Sequence, residues 1–407
     1  MNCRHCGALL EHTFINLGFA PCSNCYVTER GLSRPEKYYP LHVKVCDQCW
    51  LVQTEDYTQA DELFNSSYAY FSSTSSSWLA HAKEYVRTIR KQLSLDANSL
   101  VIEVASNDGY LLKNFISEGV PCLGIEPTES TAKVAEKLNI PILREFFSES
   151  LGKELASKEM KADLVIGNNV YAHVPDINDF TAGLKEVLQT NGTITLEFPH
   201  LLKMIEERQF DTAYHEHFSY LSLYAVRKIF QSKGLRIYDV EELHTHGGSL
   251  RVYGCHEGDS RQETDLVRSL LRKEKERGLQ SICTYKNFQE YVNKIKNDFI
   301  LFLIQQKESG KKVAAYGAAA KGNTLLNYSG VKPDLLPFVC DAADAKIGKY
   351  MPGSHIPILE PGAIQREKPD YIVILPWNIK EEVMTQLDFA RGWGAKFVTA
   401  IPSLEIL

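Results

Sequence analysis

Residues 100–109, LVIEVASNDG, decide the fold: a mostly apolar run breaks into a Ser-Asn-Asp-Gly turn, and the pattern then repeats. A helical stretch at 110–118 leads to CLGIE at 122–126, and a second helical stretch leads to DLVIG at 163–167. Short apolar strands alternating with helical patterns predict an α/β, doubly wound parallel sheet, because a parallel connection needs a crossover that a helix supplies. Ligands of such sheets sit outside the carboxyl ends of the strands, so strand-ending residues are the first candidates. The first turn is not the G-x-G-x-x-G dinucleotide pattern. Its small residues Ala105, Ser106 and Gly109 still let a ligand approach the backbone. Glu126, ending the second strand, suits hydrogen bonds to ribose hydroxyls.

Working outward, the strand-like run TITLEF at 193–198 closes at Pro199 and is followed by FDTAYHEHFSYLSL at 210–223. Tyr214, His215, Glu216 and His217 put a phenol, two imidazoles and a carboxylate within four positions. Proton transfer near neutral pH needs an imidazole oriented by a hydrogen-bonded neighbour, and the cluster offers one. A helix start with surface Glu and His is the plain alternative. LRIYDVEEL at 235–243 and HTHGGSLRVYGC at 244–255 read as a hairpin turning at Gly247 and Gly248, with His246 and Arg251 beside the turn as candidates for substrate contact. Residues 260–310 are helical and heavily charged, RKEKER at their centre, and read as a solvated connector. A second α/β unit begins with KKVAAYG at 311–317. Its turn, with Lys321, Gly322 and Asn323 at a helix start, gathers the amides and charge that hold phosphate, or is a plain strand-to-helix turn.

The 407 residues predict two or three domains, and 44% hydrophobic with 24% charged residues describe a globular chain. A net charge of −6 argues against a nucleic-acid backbone as partner. No apolar run approaches membrane-spanning length, and the start MNCRHC carries no signal pattern, so a cytoplasmic location and no membrane are expected. Six of the ten cysteines form three C-x-x-C pairs near the N-terminus, which in a reducing compartment reads as metal binding. Four thiolates fill a structural zinc site. Cys3, Cys6, Cys46 and Cys49 are favoured by their glycine and strand contexts; sets using Cys22 and Cys25, or a redox dithiol, are the alternatives. Between the cysteines and the sheet, Tyr68 and Tyr70 open a YAYFSS segment that reads as a linker or as cover for a substrate cleft. A helix follows at 74–93, its Trp78, Ala82, Tyr85, Ile89 and Leu93 at helical spacing.

An acid ending each of the first two strands, without the pyrophosphate-type glycines, resembles the S-adenosylmethionine site of class I methyltransferases. That resemblance implies Glu103 near the methionine end, Ala105, Asn107, Asp108 and Gly109 along the ligand, and Glu126 on the ribose. It also places Asn168 and Asn169 facing the methionine portion and His173 near the cleft. Taken in order, CRHCG, VCDQCWLVQ, EVASNDGYLL, TLEFPHLLKMIEERQFDTAYHEHFSYLS, THGGSLRVYG and AAYGAAAKGNTLLN resemble, over essentially the whole chain, the sugar 3-C-methyltransferases that act on nucleotide-linked 4-keto-deoxyhexoses.

The resemblance implies a zinc module with its link at 1–72, a class I methyltransferase domain at 73–260, a helical connector at 261–310 and a Rossmann-like domain at 311–407. S-adenosylmethionine and structural zinc are the implied cofactors, and a monomer is expected because no long heptad stands out. The implied active site is Tyr214, Glu216, His217 and His173 with Tyr68 or Tyr70; Lys321 and Asn323 hold the nucleotide sugar. His217, oriented by Glu216, takes the proton that the ketone acidifies on carbon 3, while Tyr214 and His173 donate hydrogen bonds to the developing oxyanion. Two departures matter: the family's turn usually has Gly where this chain has Ala105, and the Cys22 and Cys25 pair allows a rearranged or second metal site. The rivals are a sugar O-methyltransferase, an NAD-binding oxidoreductase domain at the C-terminus, and a zinc-knuckle module that recognises nucleic acid.

Overall fold

The computed structural model describes residues 1–55, 57 and 71–407, so Tyr68 and Tyr70 lie outside the described residues. Three sheets organise it. Strands β1 (His12–Ala20), β2 (Tyr39–Val45) and β3 (Val52–Thr54) form an antiparallel sheet. Its fourth strand, Ser219–Tyr220, comes from the end of the YHEH stretch and pairs with β3, Val52 opposite Tyr220. The N-terminal sheet is therefore completed by the segment expected to carry the chemistry.

The central sheet contains β4 (Val101–Val104), β5 (Cys122–Ile125), β6 (Ile142–Leu143), β7 (Ala162–Asn168) and β8 (Leu188–Pro199). Counting Ser219–Tyr220 as β9, it is completed by β10 (Leu235–Leu243) and β11 (Ser249–His256). The order is β6-β5-β4-β7-β8-β11-β10, parallel from β6 to β8, with β11 antiparallel to both neighbours. Every residue of β4 is buried, as a parallel strand covered on both faces requires. After β4 the chain turns to β5 on one side and later returns to β7 on the other. Their carboxyl ends thus define a topological switch point, where a crevice opens.

The third sheet contains β12 (Val313–Tyr316), β13 (Val339–Cys340), β14 (Ile358–Leu359), β15 (Tyr371–Ile374), β16 (Lys396–Thr399) and β17 (Glu405–Ile406). Its order is β14-β13-β12-β15-β16-β17, parallel except for β17. This is a second Rossmann-like unit, and its own switch point, between β12 and β15, faces the turn that carries Lys321.

The connector differs from the solvated helices expected. Three helices, Asp265–Glu276, Ile282–Lys286 and Phe288–Glu308, bury Val267, Leu270, Tyr285, Phe288, Phe299 and Phe302. Even Glu274 of RKEKER is fully buried, accepting from His200 Nε2 at 2.7 Å and from the Leu223 and Tyr224 amides. One apolar cluster joins Phe14 and Val43 of the N-terminal sheet, Phe210 and Ala213, Phe288 and Phe299, and Leu326 and Trp377 of the C-terminal unit. Each fully buried Phe contributes about 1.5–3 kcal/mol. The candidate catalytic stretch thus lies between the N-terminal sheet and the C-terminal unit. Thr324 Oγ1 donates to the Ala213 carbonyl at 2.9 Å, and Trp377 Nε1 donates to Asp211 at 2.7 Å.

No helix among the described residues is long and apolar enough to cross a membrane.

Candidate active site

At the switch point the end of β4 bends sharply, with Ala105 at φ 56°, Asn107 at φ 49° and Gly109 at φ 77°. Asn tolerates this left-handed region, whereas Ala105 carries a cost of about 1 kcal/mol. Gly109 has a packing reason of its own. A Cβ there would stand 2.4 Å from Ile140 Cδ1 and 3.1 Å from Ala135 Cβ, so the glycine lets the turn pack on the chain behind it.

Buried polar atoms without hydrogen-bond partners concentrate at this edge: both carboxylate oxygens of Glu103, Ser106 Oγ, one oxygen of Asp108, the whole amide of Asn168 and the amide oxygen of Asn169. Each such group carries a desolvation cost, which a bound ligand removes. Burial, then the neighbouring Asp108 and Glu126, push the Glu103 carboxyl well above its usual range. A cation placed beside it would reverse that. Glu126 is held ready at the end of β5, accepting from the Asn107 and Thr128 amides at 2.9 Å each. From above, the Ser72 and Ser73 amides donate to Asn107 Oδ1 and Asp108 Oδ2 at 2.9 and 3.0 Å. Trp78, in the helix Ser76–Leu93 capped by Ser75, stacks on Tyr110 and packs on His246. Carboxylates at one end, a ribose-type acid at the other and unsatisfied amides between them fit S-adenosylmethionine, whose sulfonium and α-ammonium are cationic.

The loop after β7 carries His173 to the YHEH stretch. His173 and His217 meet edge to face, ring centroids 4.6 Å apart, and the Tyr214 ring lies 4.0 Å from His217. His217 Nδ1 donates to the Thr212 carbonyl at 2.8 Å, and His173 Nδ1 donates to the Glu216 carbonyl at 2.7 Å. Because a carbonyl only accepts, both rings carry their proton on Nδ1, and Nε2 is the lone-pair side of each. Burial holds the His217 imidazole well below its ordinary range, with His173 adding to the effect, and burial lowers His173 to about 4. Both are neutral at neutral pH.

Two expectations change here. His217 is oriented by a backbone carbonyl rather than by the Glu216 carboxylate, which instead accepts from Asn24 at 3.2 Å. A neutral His173 protonated on Nδ1 carries an acceptor at Nε2, not the oxyanion donor expected. His215 turns away, its Nε2 on the Pro40 carbonyl and its ring against Tyr39.

His246 Nε2 meets Asn169 Nδ2 at 2.9 Å, so it borders the edge where the unsatisfied polar groups gather. Lys321 reaches the same place, donating to the His246 carbonyl and to Asn378 at 3.2 Å each, its ammonium 4.5 Å from the Trp377 ring centre. Burial lowers Lys321 to about 8, against the pull of Asp211. Asn323 is buried beside it, its side-chain oxygen unsatisfied. Gly247 is required at this junction, since a Cβ would stand 2.4 Å from Trp377.

Arg251, in contrast, is not available for substrate. Its terminal nitrogens donate to Glu197 at 2.6 Å and Glu241 at 2.7 Å, and it lies over the Tyr85 ring. Glu197 also meets His81 Nε2 at 2.9 Å; His81 and Arg251 together hold its carboxyl at about 2 in spite of burial. His81, Glu197, Thr212, Asp211 and Trp377 join the site without having been expected from the sequence. Only Glu197 left a signal, as the one acid in the TITLEF strand.

The Sγ atoms of Cys3, Cys6, Cys46 and Cys49 lie within 4.8 Å of one another, and four thiolates at that spacing fit a closed tetrahedral zinc site. Cys22 and Cys25 stand apart from this set, and Asn24 between them is the residue on Glu216.

Three family models cover the chain: "Putative zinc binding domain" over residues 3–64, "Methyltransferase domain" over 78–240 and "C-methyltransferase C-terminal domain" over 244–402. C-methyltransferase NovU from Streptomyces niveus is 31% identical over 406 residues, which is 100% of this chain and 96% of that protein. Among solved structures, an Anabaena variabilis SAM-dependent methyltransferase is 15% identical, covers 42% of this chain and 83% of its own, and has a TM-score of 0.35. The Synechocystis magnesium protoporphyrin IX methyltransferase with bound SAH is 16% identical, with 44% and 82% covered and a TM-score of 0.35. Likeness at that level says nothing about reaction or substrate. The full-length match, with a zinc-binding domain in front and the C-methyltransferase C-terminal domain behind, establishes that this chain belongs to the C-methyltransferase family.

Proposed function

We propose that the chain methylates carbon 3 of a nucleotide-linked 4-keto-deoxyhexose in the cytoplasm, as a step of deoxysugar biosynthesis. The supporting observation is the His173–His217 pair, two neutral imidazoles with fixed tautomers beside the cofactor edge. Carbon methylation needs a carbon nucleophile, and a ketone next to the reacting carbon provides one once a base removes a proton. S-adenosylmethionine, held by Glu103, the 105–109 turn, Glu126, Asn168 and Asn169, supplies the electrophilic methyl. His217 Nε2 takes the carbon 3 proton, and the Thr212 carbonyl steadies the imidazolium that forms. Tyr214 donates toward the enolate oxygen. His173 Nε2 accepts from a sugar hydroxyl. Lys321 and Asn323 face the anionic, nucleotide-bearing side. The division at 1–72, 73–260, 261–310 and 311–407 is part of this reading, as is action by a single chain. The match to a C-methyltransferase disfavours the O-methyl rival, and Arg4 of the first knuckle donates inward to Pro175 and Thr54, which disfavours nucleic-acid recognition.

The test is mass spectrometry of products from methyl-labelled S-adenosylmethionine and a panel of nucleotide 4-keto-6-deoxy and 2,6-dideoxy sugars. A label on carbon 3 of one member is expected. A label on oxygen, or cofactor binding with no labelled sugar, would remove the proposal.

The pH dependence is expected to be asymmetric. Burial, and then His173, hold His217 well below the ordinary histidine range, so kcat/KM should not fall as pH drops through that range. Lys321 loses its charge as pH rises through about 8, and kcat/KM should fall with it. Lys321→Arg keeps the charge and should move that alkaline limb upward. An unmoved limb would detach Lys321 from substrate binding.

A further inference from the structure

We propose that Arg4 is a positioning residue for proton abstraction: the first metal knuckle aims the two histidines at each other through its guanidinium. The proposal rests on the reading of His217 and His173 as the reacting pair.

Arg4 sits between Cys3 and Cys6, so the metal site fixes its backbone. Its carbonyl accepts from Asn178, and its amide donates to Gln53 Oε1, while Gln53 Nε2 donates to Cys3 Sγ. The side chain then forks. Nη1 donates to the Pro175 carbonyl at 2.7 Å, two residues after His173. Nη2 donates to the Thr54 carbonyl at 3.0 Å. Thr54 in turn holds the other histidine: its Oγ1 donates to the His217 carbonyl at 3.1 Å and its amide to the Phe218 carbonyl at 3.1 Å. The guanidinium also lies 5.4 Å from the Phe218 ring centre.

One planar fork therefore spans the two segments that bring the imidazoles together. The direct tie between those segments, His173 Nδ1 to the Glu216 carbonyl, fixes one ring but not the approach of the His173 loop as a whole. Arg4 supplies the second point, and two points define an orientation. A lysine ammonium carries the same charge but cannot present two parallel donors at this spacing. A displacement of the order of 1 Å between reacting groups lowers rates about 100-fold. That makes a loss confined to the chemical step the signature of this role.

The test uses full-length Arg4→Lys and Arg4→Ala proteins beside His217→Asn. The readouts are zinc content, thermal midpoint, KM for a nucleotide 4-keto-6-deoxyhexose, and solvent deuterium exchange at its carbon 3. Both Arg4 variants should retain a full equivalent of zinc and a KM within about twofold of the parent, while exchange and kcat fall about 10–100-fold. Millimolar guanidinium should restore part of the exchange in Arg4→Ala, where the side chain leaves room, and none in Arg4→Lys. Exchange at the parental rate in both variants, with His217→Asn inactive, would overturn the role of Arg4 alone. Loss of zinc together with activity, unrelieved by guanidinium, would reduce Arg4 to a stabilising residue. If His217→Asn itself exchanged at the parental rate, the base assignment would fall first.

Discussion

Replacing His217 by Asn should stop solvent exchange of the carbon 3 hydrogen and lower turnover about 10²–10⁴-fold, the range a positioned general base supplies. Cofactor affinity should not change, because the orphaned polar groups that define that edge belong to other segments. Asn is the informative substitution. Its side-chain amide can still donate to the Thr212 carbonyl, as His217 Nδ1 does at 2.8 Å, so the local backbone keeps its tie while the lone pair of Nε2 is lost. Exchange measured without cofactor isolates the proton step from methyl transfer. His173→Asn should show a smaller loss, since it removes the edge-to-face partner 4.6 Å from His217 and leaves the base in place. The reverse ranking would exchange the roles of the two imidazoles, which share the same tautomer. Parental exchange in both would place the base elsewhere.

The fold was legible because its signals are local. Strands β4 and β7 are covered on both faces, and a run such as VIEV has few other destinations in a globular chain. The turns at strand ends followed from topology, and the thiolate set followed from knuckle context. What stayed hidden depends on pairing across the sheet or on the backbone. Arg251 looked available for substrate because nothing in SLRVYG reveals that it lies opposite Glu197 in the β8–β11 pair. The orienting acceptor of His217 is the Thr212 carbonyl, and a carbonyl has no sequence signature. RKEKER read as a solvated face, yet Glu274 within it is buried as the acceptor of two amides at the start of the helix Leu223–Ser232 and of His200. Charge in a sequence states what a side chain is, and only the fold states what it meets.

Cys46→Ser should cost the N-terminal sheet its metal and, through it, the active site its alignment. Cys46 is fully buried where β2 ends; its amide donates to the Leu51 carbonyl and its own carbonyl accepts from the Trp50 amide. A serine hydroxyl fits that space but does not ionise near neutral pH, so the tetrathiolate becomes a three-ligand site. Structural zinc contributes about 10–16 kcal/mol of apparent binding energy in small domains, and much of that is folding energy. The loss should therefore appear as a lower thermal midpoint and a substoichiometric zinc content. It should also reach the chemistry, because β3 pairs with Ser219–Tyr220 and Thr54 holds the His217 carbonyl. Cys25→Ser is the control: Cys25 is outside the four-sulfur cluster, so zinc and thermal midpoint should match the parent. A Cys46→Ser protein with full zinc, beside a Cys25→Ser protein without it, would move the metal to the middle pair. Zinc lost from Cys46→Ser with exchange at carbon 3 unchanged would show that the knuckles stabilise their own sheet and do not align the histidines.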